Sequence, residues 1–141
     1  MCSTGRAPAS VSEALDAVEA GLAYLNGVAP ADLPGVVQAR CLRGLARVEA
    51  AHTAARARVL GAFSAGSAYE DDGQGSARLW LRWQTQITSG AADGAVGWVK
   101  RLAAHPALAQ ALAGGSISPS YARAIAAWAG LLPEAHRCAR G

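Results

Sequence analysis

Few side chains in this 141-residue sequence are of types that do chemistry, and their spacing limits what they could do. The one acidic cluster, Glu70-Asp71-Asp72, offers paired carboxylates that could hold Mg²⁺. It lacks the alternating ligand spacing of a calcium loop, and Asp72-Gly73 is a plain turn signal, so a solvated turn is expected there. His52 falls on an apolar helical stripe, with no Ser or Cys near it in sequence and no carboxylate nearby other than Glu49. That is the pattern of a packed or partly buried histidine rather than of a general base. His136-Arg137-Cys138 is the only close His/Cys pairing, and two candidate ligands on a tail do not make a zinc site. Cys2, Cys41 and Cys138 are far apart, odd in number and form no CxxC pair. Neither a disulfide framework nor a zinc knuckle follows, and a cytoplasmic location is expected. The phosphate-binding, nucleophile-elbow, zincin and dinucleotide fingerprints are all absent. No catalytic residue, metal, cofactor or small-molecule substrate is therefore expected.

The cations are more informative. The net charge is +3, but residues 1–72 carry six Arg against eight Asp and Glu, a balance of −2. Residues 73–141 carry six Arg and Lys100 against Asp93 and Glu134, a balance of +5. A basic C-terminal half suits an anionic partner such as DNA; a solvated helical surface would look much the same. The candidate phosphate contacts are Arg78, Arg82, Lys100, Arg101 and Arg123.

The elements that position these cations read as helices. Hydrophobic residues make up 52% of the chain and charged residues 16%, which excludes a disordered polar segment. Alanine is abundant, β-branched residues are sparse and no strand pattern appears, so an all-α fold of about six helices is expected. No apolar run approaches a membrane span, and MCSTGRAPAS has no signal-like core. After a disordered stretch 1–9, Ser10 and Glu13 form a capping box, and Val11, Leu15, Val18, Leu22 and Leu25 repeat at heptad-like spacing. Asn26-Gly27 ends that helix. Asp32 is the expected N-cap of a long second helix, Gly35 to about Ser64, roughly 45 Å in length. Its expected apolar stripe is Val37, Cys41 and Leu42, Leu45, Val48, His52, Ala55, Val59 and Phe63. The two helices are expected to form a hairpin over 10–64, with surface left for self-association or docking to another domain. An acidic loop follows at 65–75, then a helix-turn-helix-like part at 76–133 and a tail at 134–141, with 10–133 as one domain. In that part Ser76, Thr88 or Ser89, and Ser118 cap helices, Pro106 opens one, and Pro133 is a stop.

Two short helices joined at Gln86-Ile87-Thr88 can be a DNA reader or ordinary packing. If Ser89 to Leu102 enters a groove, its cations Lys100 and Arg101 sit at the C-terminal end, whereas base contacts usually come from the N-terminal part. Asp93 would repel phosphate. Gly94 and Gly97 cost roughly 1 kcal/mol each against alanine, which implies either close backbone packing or a drifting, degraded copy. Trp83 and Trp98 read as core anchors.

With these helices placed, the chain from about Leu15 to Pro133 resembles the actinobacterial 13E12 repeat family. That family is a helical domain of unknown function usually found ahead of an HNH endonuclease domain. The resemblance rests on LRGLARVEAAHTAARARVLGAF, Tyr69 with Asp72-Gly73, Trp80-Leu81, Ile87-Thr88, Ala92, Leu102, Pro106 and ALAGGSISPSYARAI, taken in order. It implies an all-α domain whose nuclease chemistry would come from a downstream His-Asn-His metal site. None of His52, His105 or His136 lies in such a context. Family domains usually continue beyond a point like Gly141, so the resemblance implies a truncated member without the catalytic part. Members tend to be Arg-rich in the helix 89–102, from which this chain departs. Gly115, Ile117, Ser118, Ala122, Arg123, Ala124 and Ile125 are also similar to the helix-turn-helix centre of ParB partition proteins, with Tyr121 where that pattern commonly has His. Two functional classes remain open: weak, sequence-independent DNA binding, and a helical interaction or dimerisation module without activity of its own.

Overall fold

The structure, a computed structural model, describes residues 5–132. Cys2, the Pro133 stop, the His136–Cys138 pairing and the tail lie outside the described residues. Six α-helices are present, and no strand occurs among the described residues: α1 Val11–Gly27, α2 Gly35–Ala65, α3 Ala77–Gln84, α4 Ser89–Ala104, α5 Pro106–Ala113 and α6 Pro119–Leu131. The fold is all-α, and no helix among the described residues is long and apolar enough to cross a membrane. The chain divides into two compact units, Met1–Arg40 and Cys41–Gly141, with the boundary inside α2.

In the first unit the Ser10 hydroxyl accepts from the Glu13 N–H (3.1 Å), while the Glu13 carboxylate reaches back to the Ala9 N–H (2.8 Å). One orphan donor of α1 is thus satisfied by the Ser10 cap, while the Glu13 bond reaches one residue beyond the N-cap instead of the Ser10 N–H. The heptad stripe Val11, Leu15, Val18, Leu22 and Leu25 is exposed along its whole length. Asp32 does not cap α2. It closes a single 3-10 turn, Pro30–Asp32, and the α2 ladder starts from the Pro34 carbonyl, which accepts from Gln38 N at 3.0 Å. The Gln38 amide ties the turn down by donating to Pro30 O (2.8 Å) and Leu33 O (3.2 Å).

The second unit is built around α4. Ala92, Ala95, Trp98 and Leu102 bury one side of this helix. Trp98 and Leu102 join Ala50, Ala54, Ala57, Leu112 and Ala122 in one cluster. Ala95 joins Leu60, Ala77 and Leu81 in a second. The buried face of α2 is therefore Ala50, Ala54, Ala57 and Leu60, and most of the expected stripe is overturned: Val37, Leu42, Leu45, Val48, His52, Ala55 and Val59 are exposed, while Cys41 is partly buried and Phe63 packs. Helix packing explains the offset. The large side chains Trp98, Leu102 and Leu112 supply the bulk at this contact, and the small Ala50, Ala54 and Ala57 are what leave room for them. At Gly61 the approach is so close that an added Cβ would lie 3.2 Å from Val99 Cγ1.

The acidic loop contains a second 3-10 turn, Ala68–Asp72, closed by Gly73 at φ 72°. Asp72 is a structural acceptor: the Trp80 indole N–H donates to its Oδ2 at 2.6 Å. Phe63 lies 4.6 Å from the Trp80 ring and 6.3 Å from Tyr69, centroid to centroid, so the turn is held by an aromatic cluster. The side chains of Ser76, Thr88 and Ser118 accept from Leu79 N, Ala91 N and Tyr121 N, each at 3.2 Å, and cap α3, α4 and α6.

Gly94 and Gly97 are not sites of close backbone packing, because a Cβ on either would meet nothing within 4 Å. Gly97→Ala is accordingly expected to raise stability by about 1 kcal/mol, read as a higher melting temperature. A lower melting temperature would show that the missing side chain is needed for packing.

Candidate nucleic-acid interface

Trp98 organises the basic surface from beneath. Its indole is 8% exposed and anchored among the alanines of α2, so it cannot swing out to stack on a base. Instead it seats two guanidiniums: Arg101 lies 4.7 Å from the ring centroid and Arg123, arriving from α6, lies 5.3 Å away. Cation–π contact and the rigid ring restrict both long side chains before any ligand arrives. Next to them Lys100, Arg101, His105 and Arg123 border one open cleft of about 400 Å³, floored by Gly97 and Ala126, with no acidic residue in its wall.

Three of the five candidate phosphate contacts thus come together: Lys100, Arg101 and Arg123. Lys100 also borders a second cleft, of about 250 Å³, with Arg78. Arg78, however, is paired. Its Nε and Nη2 engage the two carboxylate oxygens of Asp93, the second contact at 3.2 Å. The hydrogen bond from Arg78 holds the Asp93 carboxyl below its ordinary pKa, and Asp93 raises that of Arg78. With the folded pKa depressed, this pair adds stability above the unfolded carboxylate pKa and loses it as pH falls through the lower folded value. Both side chains are well exposed, at 37% and 59%, so the contribution is small and salt-sensitive. Asp93 therefore meets an arginine rather than a bare surface, and each cancels the other's charge. Arg82 stacks 5.6 Å from the ring centroid of Trp83 and borders none of these clefts. Trp83 itself is 59% exposed, not a core anchor.

The outward face of α4 near its N-terminus offers Gly90, Asp93 and Gly94, all exposed and without a free donor side chain. A groove-reading role for that half is thus poorly equipped; its cations lie at the opposite end, beside α6. His105 joins the basic cleft, and on another flank of Trp98 the α2 residues His52 and Arg56 join Arg123 around a cleft of about 340 Å³. Nothing in the sequence marks His105, His52 or Arg56 as part of a site. The one local signal is the four-residue spacing of His52 and Arg56, which puts both on one face of a helix. Among the described residues no group of His, Cys, Asp or Glu is placed to hold a metal ion. Compared with protein-family models, curated proteins and solved structures, the chain matches none of them.

Proposed function

We propose that this chain is a non-catalytic, cytoplasmic helical domain that binds DNA weakly and without sequence preference through its phosphates. The reading rests on one observation, the acid-free cleft bordered by Lys100, Arg101, His105 and Arg123, two of which rest on Trp98. Two or three cations that touch only phosphate provide non-specific affinity and little else. The sequence pattern adds the second part of the proposal: a domain of the 13E12 repeat kind, whose relatives precede an HNH nuclease. Tyr69, Asp72, Trp80 and Leu81 of that pattern form a packed unit here, as residues that specify a fold would.

A titration of labelled duplex at low salt tests the reading. The expected result is binding whose log K falls against log salt with a slope of about −2 to −3, for two to three displaced counterions. Lys100→Glu should abolish it, and Asp93→Asn, which releases Arg78, should steepen the slope by roughly one. A flat titration into high protein concentration would sink the proposal. Plasmid incubated with Mg²⁺ should remain intact, and nicking lost in chelator would overturn the non-catalytic part.

A second reading, self-association, is favoured by a separate observation. Helix α1, whose apolar stripe is exposed, carries Glu13, Asp16 and Glu19 and no cation, whereas exposed Leu42, Leu45 and Val48 of α2 lie among Arg40, Arg43 and Arg47. Two such surfaces are complementary between copies. Light scattering expects a mass that rises with concentration; a monomer at every concentration rejects it.

A further inference from the structure

We infer that the cleft between α2, α4 and α6 is a binding site for a phosphomonoester, beside the surface proposed to follow duplex DNA and sharing only Arg123 with it. Its walls bring Arg56 and His52 from one face of α2 against Arg123 from α6. No acidic side chain lines it, and neither guanidinium forms an ion pair, the only ion pair among the described residues being Arg78 with Asp93. Arg123 is already fixed against the Trp98 ring, 5.3 Å from its centroid. Two arginines lining one concavity from different helices suit a compact, multiply charged oxyanion better than a single carboxylate, which one guanidinium would satisfy.

The cleft opens to solvent on its α4 side. Gly90 and Gly94, one helical turn apart on α4, border the cleft, and a Cβ on either would meet nothing within 4 Å. Neither glycine is therefore needed for a close approach between helices; what both do is leave the concavity open. At about 340 Å³ it falls at the small end of ligand sites, large enough for a phosphate with the sugar attached to it. The phosphate could arrive free, on a mononucleotide, or at the end of a DNA strand.

The two glycines also provide the readout, because their amide signals resolve well in a proton–nitrogen NMR spectrum. Sodium phosphate is titrated into the full chain against sodium chloride at matched ionic strength. The expected result is saturable movement of the Gly90 and Gly94 signals, with a Kd of order 1 mM. Arg56→Gln should weaken binding roughly tenfold, the usual loss for a charged hydrogen bond. Arg58→Gln, two residues along α2 and outside this cleft, should leave it unchanged. Gly94→Leu should block the site with the melting temperature preserved. Parallel titrations use adenosine 5′-monophosphate and a short oligonucleotide with either a 5′-phosphate or a 5′-hydroxyl. Tighter binding of the phosphorylated oligonucleotide assigns the site to strand ends, and tighter binding of the mononucleotide or of free phosphate assigns it to that ligand. Glycine signals that move no more in phosphate than in chloride, or a shift indifferent to Arg56→Gln, overturns the inference. Duplex binding through Lys100 stands or falls by its own titration, so the two failures are separable.

Discussion

Replacing Trp98 by alanine is expected to lower stability by about 3–5 kcal/mol. In a domain of this size that is a fall of more than about 10 °C in melting temperature. The reason is position as well as volume. The indole fills the space between α4 and the alanines Ala50, Ala54 and Ala57, and those methyl groups are too short to close the void. The same substitution removes the ring on which Arg101 and Arg123 rest. Duplex affinity measured well below the melting transition should therefore fall although no charge is lost. Trp98→Phe separates the two effects. It keeps an aromatic face for the guanidiniums, so binding should be largely retained while stability drops by a smaller amount. A Trp98→Ala protein that melts within a degree or two of the parent would show that the core does not depend on this ring.

Gly115→Ala is expected to cost about 3 kcal/mol, from two sources that add. Gly115 sits at φ 71° in the turn between α5 and α6, a conformation that strains any residue with a Cβ by roughly 1–2 kcal/mol. Its Cβ would also lie 3.0 Å from Arg47 Cβ and 3.3 Å from Arg47 Cα, and the α2 backbone cannot move aside as a side-chain tip would. Gly73 is the natural control. It has φ 72°, but a Cβ there would meet nothing within 4 Å, so Gly73→Ala should show only the conformational part, about 1 kcal/mol. Chemical denaturation of the two variants measures the difference. Equal losses would mean that the approach of the turn to α2 is unstrained.

Gly115 also shows why part of the fold is legible in the order of residues alone. It belongs to the run Gly114-Gly115-Ser116-Ile117-Ser118-Pro119, where the succession of turn former, N-cap and N1 proline dictates a helix end and a helix start. Ser10, Thr88 and Ser118 cap the helices their types and spacing announce, because a cap is a bond between residues three apart and needs no distant partner. Asp32 fails as a cap for an equally local reason: an intervening proline and a 3-10 turn place the first α2 carbonyl at Pro34. His52 and Val59 fail differently. Their stripe is a sound helical period, but which face of α2 is buried depends on what packs against it, and Trp98, Leu102 and Leu112 fill the space that alanines leave.

The same division runs through the candidate site. Lys100, Arg101 and Arg123 are visible as cations in a basic half, yet nothing in their order along the chain says that one buried ring gathers two of them. Arg78 looks free in the sequence, and the packing of α3 on α4 is what brings Asp93 within its reach. Arg56 looks like an ordinary solvated arginine, and α6 is what brings Arg123 beside it. By itself the sequence determined the helical class, the positions of the helix ends and the sign of the surface charge, since these depend on propensity, capping and composition, all of which act within a few residues. Only the tertiary structure decided which faces are buried, which charges cancel and which converge, because those depend on the distance between side chains far apart in the chain.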